Sequence, residues 1–349
     1  MRYLFGPLLL LIFTSNIRAQ DFVNLRYEKC YSFLNQALKG NESYDFKRVV
    51  YVTETAYDSL AMNESEFNNE VLLLSLFVKS YFNTFHDYSY RFEDSNNVKL
   101  NFAIYQVLKD SVSIDLPDGR KGKIKPFSYD FNDFNGAVDW RNMFVTKLLI
   151  SHSGNCHSLP YLYKILADEL GATCWLSLAP NHMYIKNRCK RDGWYNTELT
   201  SGTFPVDAWI MTSGYVTVDA VRSGIYMDTL SNQQAIALCV LDLAKEYEHQ
   251  TKNYYDGFII KCCDLSLQYF PLNAQAILLK AETLKRIYEK QAAAKSVEAK
   301  GTYDKMQALY AKLLDLGYRE MPDKMYQKWL QSIQKEKAKY NNTKVIGQR

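Results

Sequence analysis

Apolar residues recur at helical spacing through most of this chain, and the stretches between them are short and polar. In the first third, this pattern predicts helices near residues 33–38, 49–60 and 71–82. A segment rich in Pro and Gly, 116–122, then predicts a turn or linker. Residues 20–125 are therefore expected to form an N-terminal helical region.

The middle region, residues 126–235, mixes helical and strand patterns. A helix is predicted from Cys156 to Gly171, since one of its faces carries Leu159, Leu162, Leu166 and Leu170. Strands are predicted at 173–178, 182–186 and 194–200, with turns at 179–181 and 192–193 between them. This order predicts an α+β core in which a helix packs on an antiparallel sheet.

Residues 236–349 return to a helical pattern. The predicted helices lie at 236–247, 255–269, 274–290, 303–316 and 324–337. Pro271 ends the second of them, and the spacing favours helix pairs of about 34 residues, as in tetratricopeptide repeats. The match is degenerate, because Ile259 stands with Ser266 where that pattern has small residues. An ordinary helical bundle is the alternative.

The first residues have the pattern of a signal peptide. A positive start at Arg2 precedes an apolar run, 3–13, and Ala19 supplies a small residue at the cleavage site. Cleavage is expected after Ala19 or after Gln20. The apolar run is shorter than the roughly 20 residues that span a bilayer. We therefore expect residues 1–19 to be removed and the mature protein to be exported, periplasmic or secreted, and soluble, with no membrane span.

Composition and charge narrow the classes of function. The chain is 47% hydrophobic and 23% charged, which indicates a folded globular protein. The formal charge of +4 includes Arg2 and Arg18, so cleavage leaves about +2, too little to suggest a nucleic-acid partner. The sequence contains no phosphate-binding loop or dinucleotide fingerprint, so no cofactor is expected. No metal site is expected either, because His152, Cys156 and His157 lack a second spaced pair of ligands.

The candidate chemistry begins at Cys156, which follows Gly154 at the predicted start of a helix. Unpaired N–H groups and the helix dipole lower the pKa of a thiol there, and the same N–H groups can hold an oxyanion. His182 opens a predicted strand, and Glu198 lies in the next one. If these strands pair about a turn near residue 190, Glu198 directly faces His182. The carboxylate would then orient an imidazole whose other nitrogen faces the thiol.

These residues resemble the transglutaminase-like (papain-like) superfamily. The resemblance lies in Gly-x-Cys at a helix start, His at a strand start, and the segment 194–200, Trp-Tyr-Asn-Thr-Glu-Leu-Thr, whose acid is usually Asp in that family. It implies a papain-like core flanked by N-terminal helices and by C-terminal tetratricopeptide-like helices, as in a bacterial subgroup. It also implies that Cys156 is the nucleophile, His182 the base and then the acid, and Glu198 the orienting group.

Two asparagines leave alternatives open. Asn196 lies on the same strand face as Glu198 and could replace it as the third member of the catalytic triad with Cys156 and His182, since papain-like enzymes use Asn there. Asn181 could orient the imidazole or only form the turn. The expected function is a cysteine-dependent hydrolase or acyltransferase that acts on amide bonds of a peptide or protein. The alternative is a catalytically silent scaffold whose helical repeats hold a protein partner.

Overall fold

The computed structural model of this chain describes residues 6–40, 45–60, 62–84, 89–115 and 121–336. It is mostly helical and contains small sheets, which agrees with the predicted α+β class. Within these residues, no helix has the length and apolar character that crossing a membrane requires.

Four helices make up the N-terminal region: α1 (Gly6–Leu38), α2 (Phe46–Tyr57), α3 (Glu64–Thr84) and α4 (Ser95–Lys109). The side chain of Asp45 caps α2 by accepting the N–H of Arg48 at 2.6 Å. Residues 1–5 of the predicted signal peptide lie outside the described residues, and the expected cleavage site after Ala19 falls within α1. Export stays a prediction.

The predicted turn at 116–122 separates two paired strands. Strands β1 (Val112–Asp115) and β2 (Lys121–Ile124) are antiparallel, and residues 116–120 between them lie outside the described part. Strand β3 (Ser128–Tyr129) then pairs in parallel with β4 (Ser153–Gly154). A 3₁₀ turn (Trp140–Met143) and helix α5 (Val145–Ser151) connect these last two strands.

The core of the middle region is helix α6 (Ser158–Leu170), which packs on an antiparallel three-stranded sheet. Its strands are β5 (Trp175–Ala179), β6 (His182–Cys189) and β7 (Gly193–Thr197), close to the predicted positions. Gly171 ends α6 in the left-handed conformation at φ 72°, as a C-terminal glycine commonly does. This arrangement brings the start of α6, the start of β6 and the end of β7 near one another.

Two short helices, α7 (Asp207–Ser213) and α8 (Val218–Ser223), follow the sheet within the middle region. The C-terminal region, as far as the structure describes it, contains five longer helices. These are α9 (Asn232–Thr251), α10 (Phe258–Tyr269), α11 (Ala274–Ala293), α12 (Ala299–Asp315) and α13 (Asp323–Glu336). Helices α9 to α12 each pack on the next, which suits stacked helix pairs and a bundle alike. Helices α1 and α2 also pack on α9, so the two helical regions share one core.

Candidate active site

Cys156 lies immediately before helix α6, which begins two residues later than the sequence predicted. The side chain of buried Asn155 holds the turn at residues 156–157, because its Oδ1 accepts the N–H groups of His157 at 2.9 Å and of Ser158 at 3.3 Å. These two N–H groups are therefore not available to an oxyanion. The N–H of Cys156 itself is left as the backbone candidate for that role.

Gly154 has a packing role beside the candidate nucleophile. A Cβ atom at this position would lie 2.3 Å from Ser158 Oγ and 2.9 Å from a methyl group of Leu148. Ser158 Oγ is itself held in place, since it donates to Asn142 O at 2.9 Å. The glycine is thus required by the close approach of β4 to the start of α6.

His182 and Glu198 form a buried pair. His182 Nε2 lies 2.5 Å from Glu198 Oε2, and the two residues are 7% and 1% exposed. The other carboxylate oxygen of Glu198 accepts the N–H of Thr200 at 2.8 Å. Both oxygens of Glu198 are therefore engaged, which fixes the carboxylate against the imidazole.

The strand register that joins these two residues differs from the predicted one. Cys189 pairs with Gly193 and Ile185 with Thr197, so the same register would place Thr200 opposite His182. The predicted direct pairing of His182 with Glu198 is therefore wrong by two residues. Because a shift of two keeps a side chain on the same face, Glu198 still reaches His182, but diagonally.

The thiol of Cys156 lies close to the imidazole without a formed hydrogen bond to it. Its sulfur lies 3.8 Å from the backbone oxygen of Asn181 and 3.6 Å from Tyr326 Oη. His182 Nδ1 is buried and makes no hydrogen bond within the described part of the chain. Such bonds are often loose in a free enzyme and tighten only with substrate.

The charges of the site favour an ionised pair. Burial lowers the pKa of His182, but the carboxylate of Glu198 and the neighbouring Cys156 outweigh this and raise it to about 10. Burial raises the pKa of the Cys156 thiol, but its interaction with His182 outweighs this, so the pKa is lowered. The raised pKa of His182 and the lowered pKa of Cys156 both favour a thiolate beside an imidazolium.

Cys156 differs from the other cysteines in exposure and ionisation. All seven are free thiols; Cys156 is half-buried and the other six are buried. Burial raises the pKa of five of those six, namely Cys30, Cys174, Cys239, Cys262 and Cys263. Cys156 is therefore the thiol most able to react near neutral pH.

The two asparagines left open by the sequence have other partners. The amide nitrogen of Asn196 donates to Pro205 O at 3.0 Å and to Asp207 Oδ1 at 2.7 Å. Asn181 adopts the left-handed conformation at φ 52° in the turn between β5 and β6. Glu198 is thus the residue that contacts the His182 ring, and Asn181 shapes the turn beside it.

His157 is held in a structural position. Its Nδ1 contacts Met143 O at 2.9 Å, and its Nε2 contacts Asp242 Oδ1 at 3.0 Å. Both ring nitrogens are engaged, so His157 does not serve Cys156 as a base. Across the residues that the structure describes, no group of three or more His, Cys, Asp or Glu is arranged to hold a metal ion.

Comparison with protein families, with curated proteins and with solved structures finds no match for this chain.

Helix α13 covers this site, a feature that the sequence did not predict. The Trp329 ring lies edge-to-face on the His182 ring, with centroids 4.9 Å apart. Tyr326 contacts the thiol and packs on Phe134, with ring centroids 5.0 Å apart. Both aromatic residues are less than a tenth exposed. The apolar face of α13 was visible in the sequence, but nothing there indicated which surface it covers.

Proposed function

We propose that this protein is a cysteine-dependent hydrolase or acyltransferase, transglutaminase-like in its core, that acts on amide bonds of a peptide or protein. The observation that carries the proposal is the buried His182–Glu198 pair beside the half-buried thiol of Cys156. His182 Nδ1 forms no hydrogen bond with any described residue. The order of the three residues along the chain supports the proposal as well.

The chemistry follows from the ionised pair. The Cys156 thiolate attacks the carbonyl carbon, and the N–H of Cys156 can donate to the oxyanion that forms. The His182 imidazolium gives its Nδ1 proton to the departing amine, and the C–N bond breaks to leave a thioester. Water or a second amine then attacks the thioester, and His182 takes up the proton of the incoming group. The C–S bond breaks, which releases the acyl product and restores the Cys156 thiolate beside the imidazolium. Glu198 holds the ring in position throughout.

The signal-like start supports export to the periplasm or beyond, and the stacked helices α9 to α12 support a tetratricopeptide-like surface for a peptide or protein.

A second function, a silent scaffold, is favoured by one observation. Tyr326 and Trp329 of α13 lie directly on Cys156 and His182, so a substrate carbonyl would have to displace them. In a scaffold, this packing would be permanent and the triad would only stabilise the fold.

Alkylation distinguishes the two functions. If Cys156 is a thiolate, iodoacetamide at pH 6 should label it at least about tenfold faster than a free thiol with a pKa of about 8.5. His182→Ala should remove this excess, whereas His152→Ala, outside the triad, should keep it. Labelling of Cys156 at the rate of an ordinary thiol would sink the enzyme proposal and leave the scaffold. Mass spectrometry of the peptides identifies the labelled cysteine.

A further inference from the structure

A cavity of about 280 Å³ adjoins the thiol and the imidazole. Cys156 and His182 form part of its wall, and residues of α9 and α11 form another part. The proposed reaction uses only the edge of this space. The remainder can receive a part of the substrate that lies beyond the reacting carbonyl.

Most of the cavity wall is apolar, and the polar groups are few. The apolar side chains include Phe134, Ile225, Leu238 and Leu241. Charged groups enter from α9, which contributes Asp242 and Lys245 one turn apart on the same face. A ligand of this cavity would therefore combine an apolar body with one charged end.

The negative charge of Asp242 is already paired inside the protein. Its Oδ1 contacts His157 Nε2 at 3.0 Å, and its Oδ2 accepts the hydroxyl of Tyr161 at 2.7 Å. The charge of Asp242 also raises the pKa of His157, although burial opposes this. Asp242 is thus not available to bind a cationic ligand.

The positive charge of Lys245 has no such partner. Its Nζ donates to the neutral amide oxygen of Gln275 at 3.2 Å, and among the described residues it forms no ion pair. Lys245 is half-buried, and burial lowers its pKa in spite of the nearby Asp242 and Glu248. A partly desolvated ammonium that forms no ion pair gains from an incoming carboxylate.

We propose that this cavity is a substrate subsite for a carboxylate group, and that Lys245 determines this specificity. The substrate would carry a free carboxylate, on a side chain or a chain end, separated from the reacting carbonyl by a short apolar spacer. The inference rests on the proposed function, because it assumes that Cys156 is the reacting group.

Affinity alkylation tests this directly. N-Iodoacetyl-β-alanine and N-iodoacetyl-γ-aminobutyrate place a carboxylate at two distances from the reacting carbon, and their primary amides are neutral counterparts. For the full chain at pH 7, we expect Cys156 to react about tenfold faster with one of the carboxylates than with its amide. The ratio of the two rates is the measurement, since it cancels the reactivity of the thiol itself.

Variants identify the source of the ratio. In Lys245→Met, the ratio of carboxylate to amide labelling rates should fall to the value that the positive charge of His182 alone produces. In Lys245→Arg, the preference for the carboxylate probe should return. Lys300→Met, an exposed lysine on α12, removes the same charge elsewhere and should keep the wild-type ratio. Fast labelling by the amides with equal ratios in wild type and Lys245→Met would overturn the subsite alone. If no probe labels Cys156 faster than an ordinary thiol, the proposed function and the subsite fail together.

Discussion

The charge on Glu198 controls the ionisation of the candidate site. This carboxylate is the strongest influence that raises the pKa of His182, and His182 in turn lowers the pKa of Cys156. The effect depends on burial of both partners, because in water the same two charges would interact only weakly. The charge of Glu198 also raises the pKa of Cys156 directly, but this effect is smaller than the lowering by His182. A single buried acid thus acts on the nucleophile mainly through the imidazole.

Replacement of this acid should change the pH profile of the thiol. In Glu198→Gln, the imidazolium loses its charged partner, the pKa of His182 falls and the pKa of Cys156 rises. We expect the midpoint of iodoacetamide labelling against pH to move up by about one unit, or roughly 1.4 kcal/mol of thiolate stabilisation. An unchanged midpoint would contradict the role given to Glu198.

The matched variant Glu198→Asp tests the diagonal geometry. It keeps the charge but shortens the side chain by one methylene, and diagonal positions on a sheet are about 7 Å apart between Cβ atoms. We expect the midpoint to lie between those of wild type and Glu198→Gln. A wild-type midpoint would show that the extra methylene of Glu198 is not needed.

At the scale of secondary structure, helix α13 decides access to the thiol. It attaches to the site through Tyr326 and Trp329, whose rings also contact each other with centroids 5.2 Å apart. The neighbouring Gln327 is exposed on the other face of the same helix. The helix therefore presents an aromatic face to the site and a polar face to solvent.

Removal of one aromatic ring should open the site. In Trp329→Ala, the ring that lies on His182 is absent, so we expect iodoacetamide to label Cys156 severalfold faster. Tyr326 stays in place in this variant, so its contact with the sulfur is retained. Gln327→Ala is the control on the same helix and should label at the wild-type rate. An equal or slower rate in Trp329→Ala would mean that α13 does not limit access.

At the scale of the whole molecule, the N-terminal helices are part of the same body as the site. Buried Glu54 of α2 accepts the N–H of Val145 at 2.6 Å and of Thr146 at 2.9 Å, and so caps α5. Helix α5 leads directly to Gly154 and Cys156. The position of the thiol therefore depends on a residue that lies about 100 positions earlier in the chain.

This buried acid should make stability depend on pH. Burial raises the pKa of Glu54 to about 7, although its hydrogen bonds oppose this, whereas in the unfolded chain the value is about 4.5. The folded protein then holds a proton that the unfolded chain has lost, so stability falls as pH rises from 4.5 through 7. Glu54 should contribute a loss of about 2–3 kcal/mol between pH 5 and pH 8.

Urea unfolding at the two pH values measures this loss. Glu54→Gln cannot ionise, so the difference in unfolding free energy between pH 5 and pH 8 should be smaller than in wild type by about that amount. The variant is expected to be less stable at both values, because its amide can accept only one of the two N–H bonds. Equal differences in the two proteins would exclude Glu54 as the source.

Much of the secondary structure could be predicted because it depends on local spacing. The apolar face of α6, the stop at Gly171 and the three strands after it follow from periods of 3.6 and 2 and from turn residues. The α+β class follows from their order. Helix α6 begins at Ser158 instead of Cys156. Residues 156–157 form a turn that is bonded to the side chain of Asn155, and the spacing of apolar residues carries no information about such a bond.

Local patterns were enough to predict a thiol before a helix, a histidine at a strand start and an acid on the same face of the next strand. How these residues pair depends on tertiary contacts. The register of β6 and β7 depends on the turn at residues 190–192. Glu198 contacts His182, whereas Asn196 bonds to other partners, so these contacts decide which of the two is the third member of the triad. The position of α13 decides which surface it covers. These contacts join positions distant in the chain, and the period of a local pattern carries no information about them.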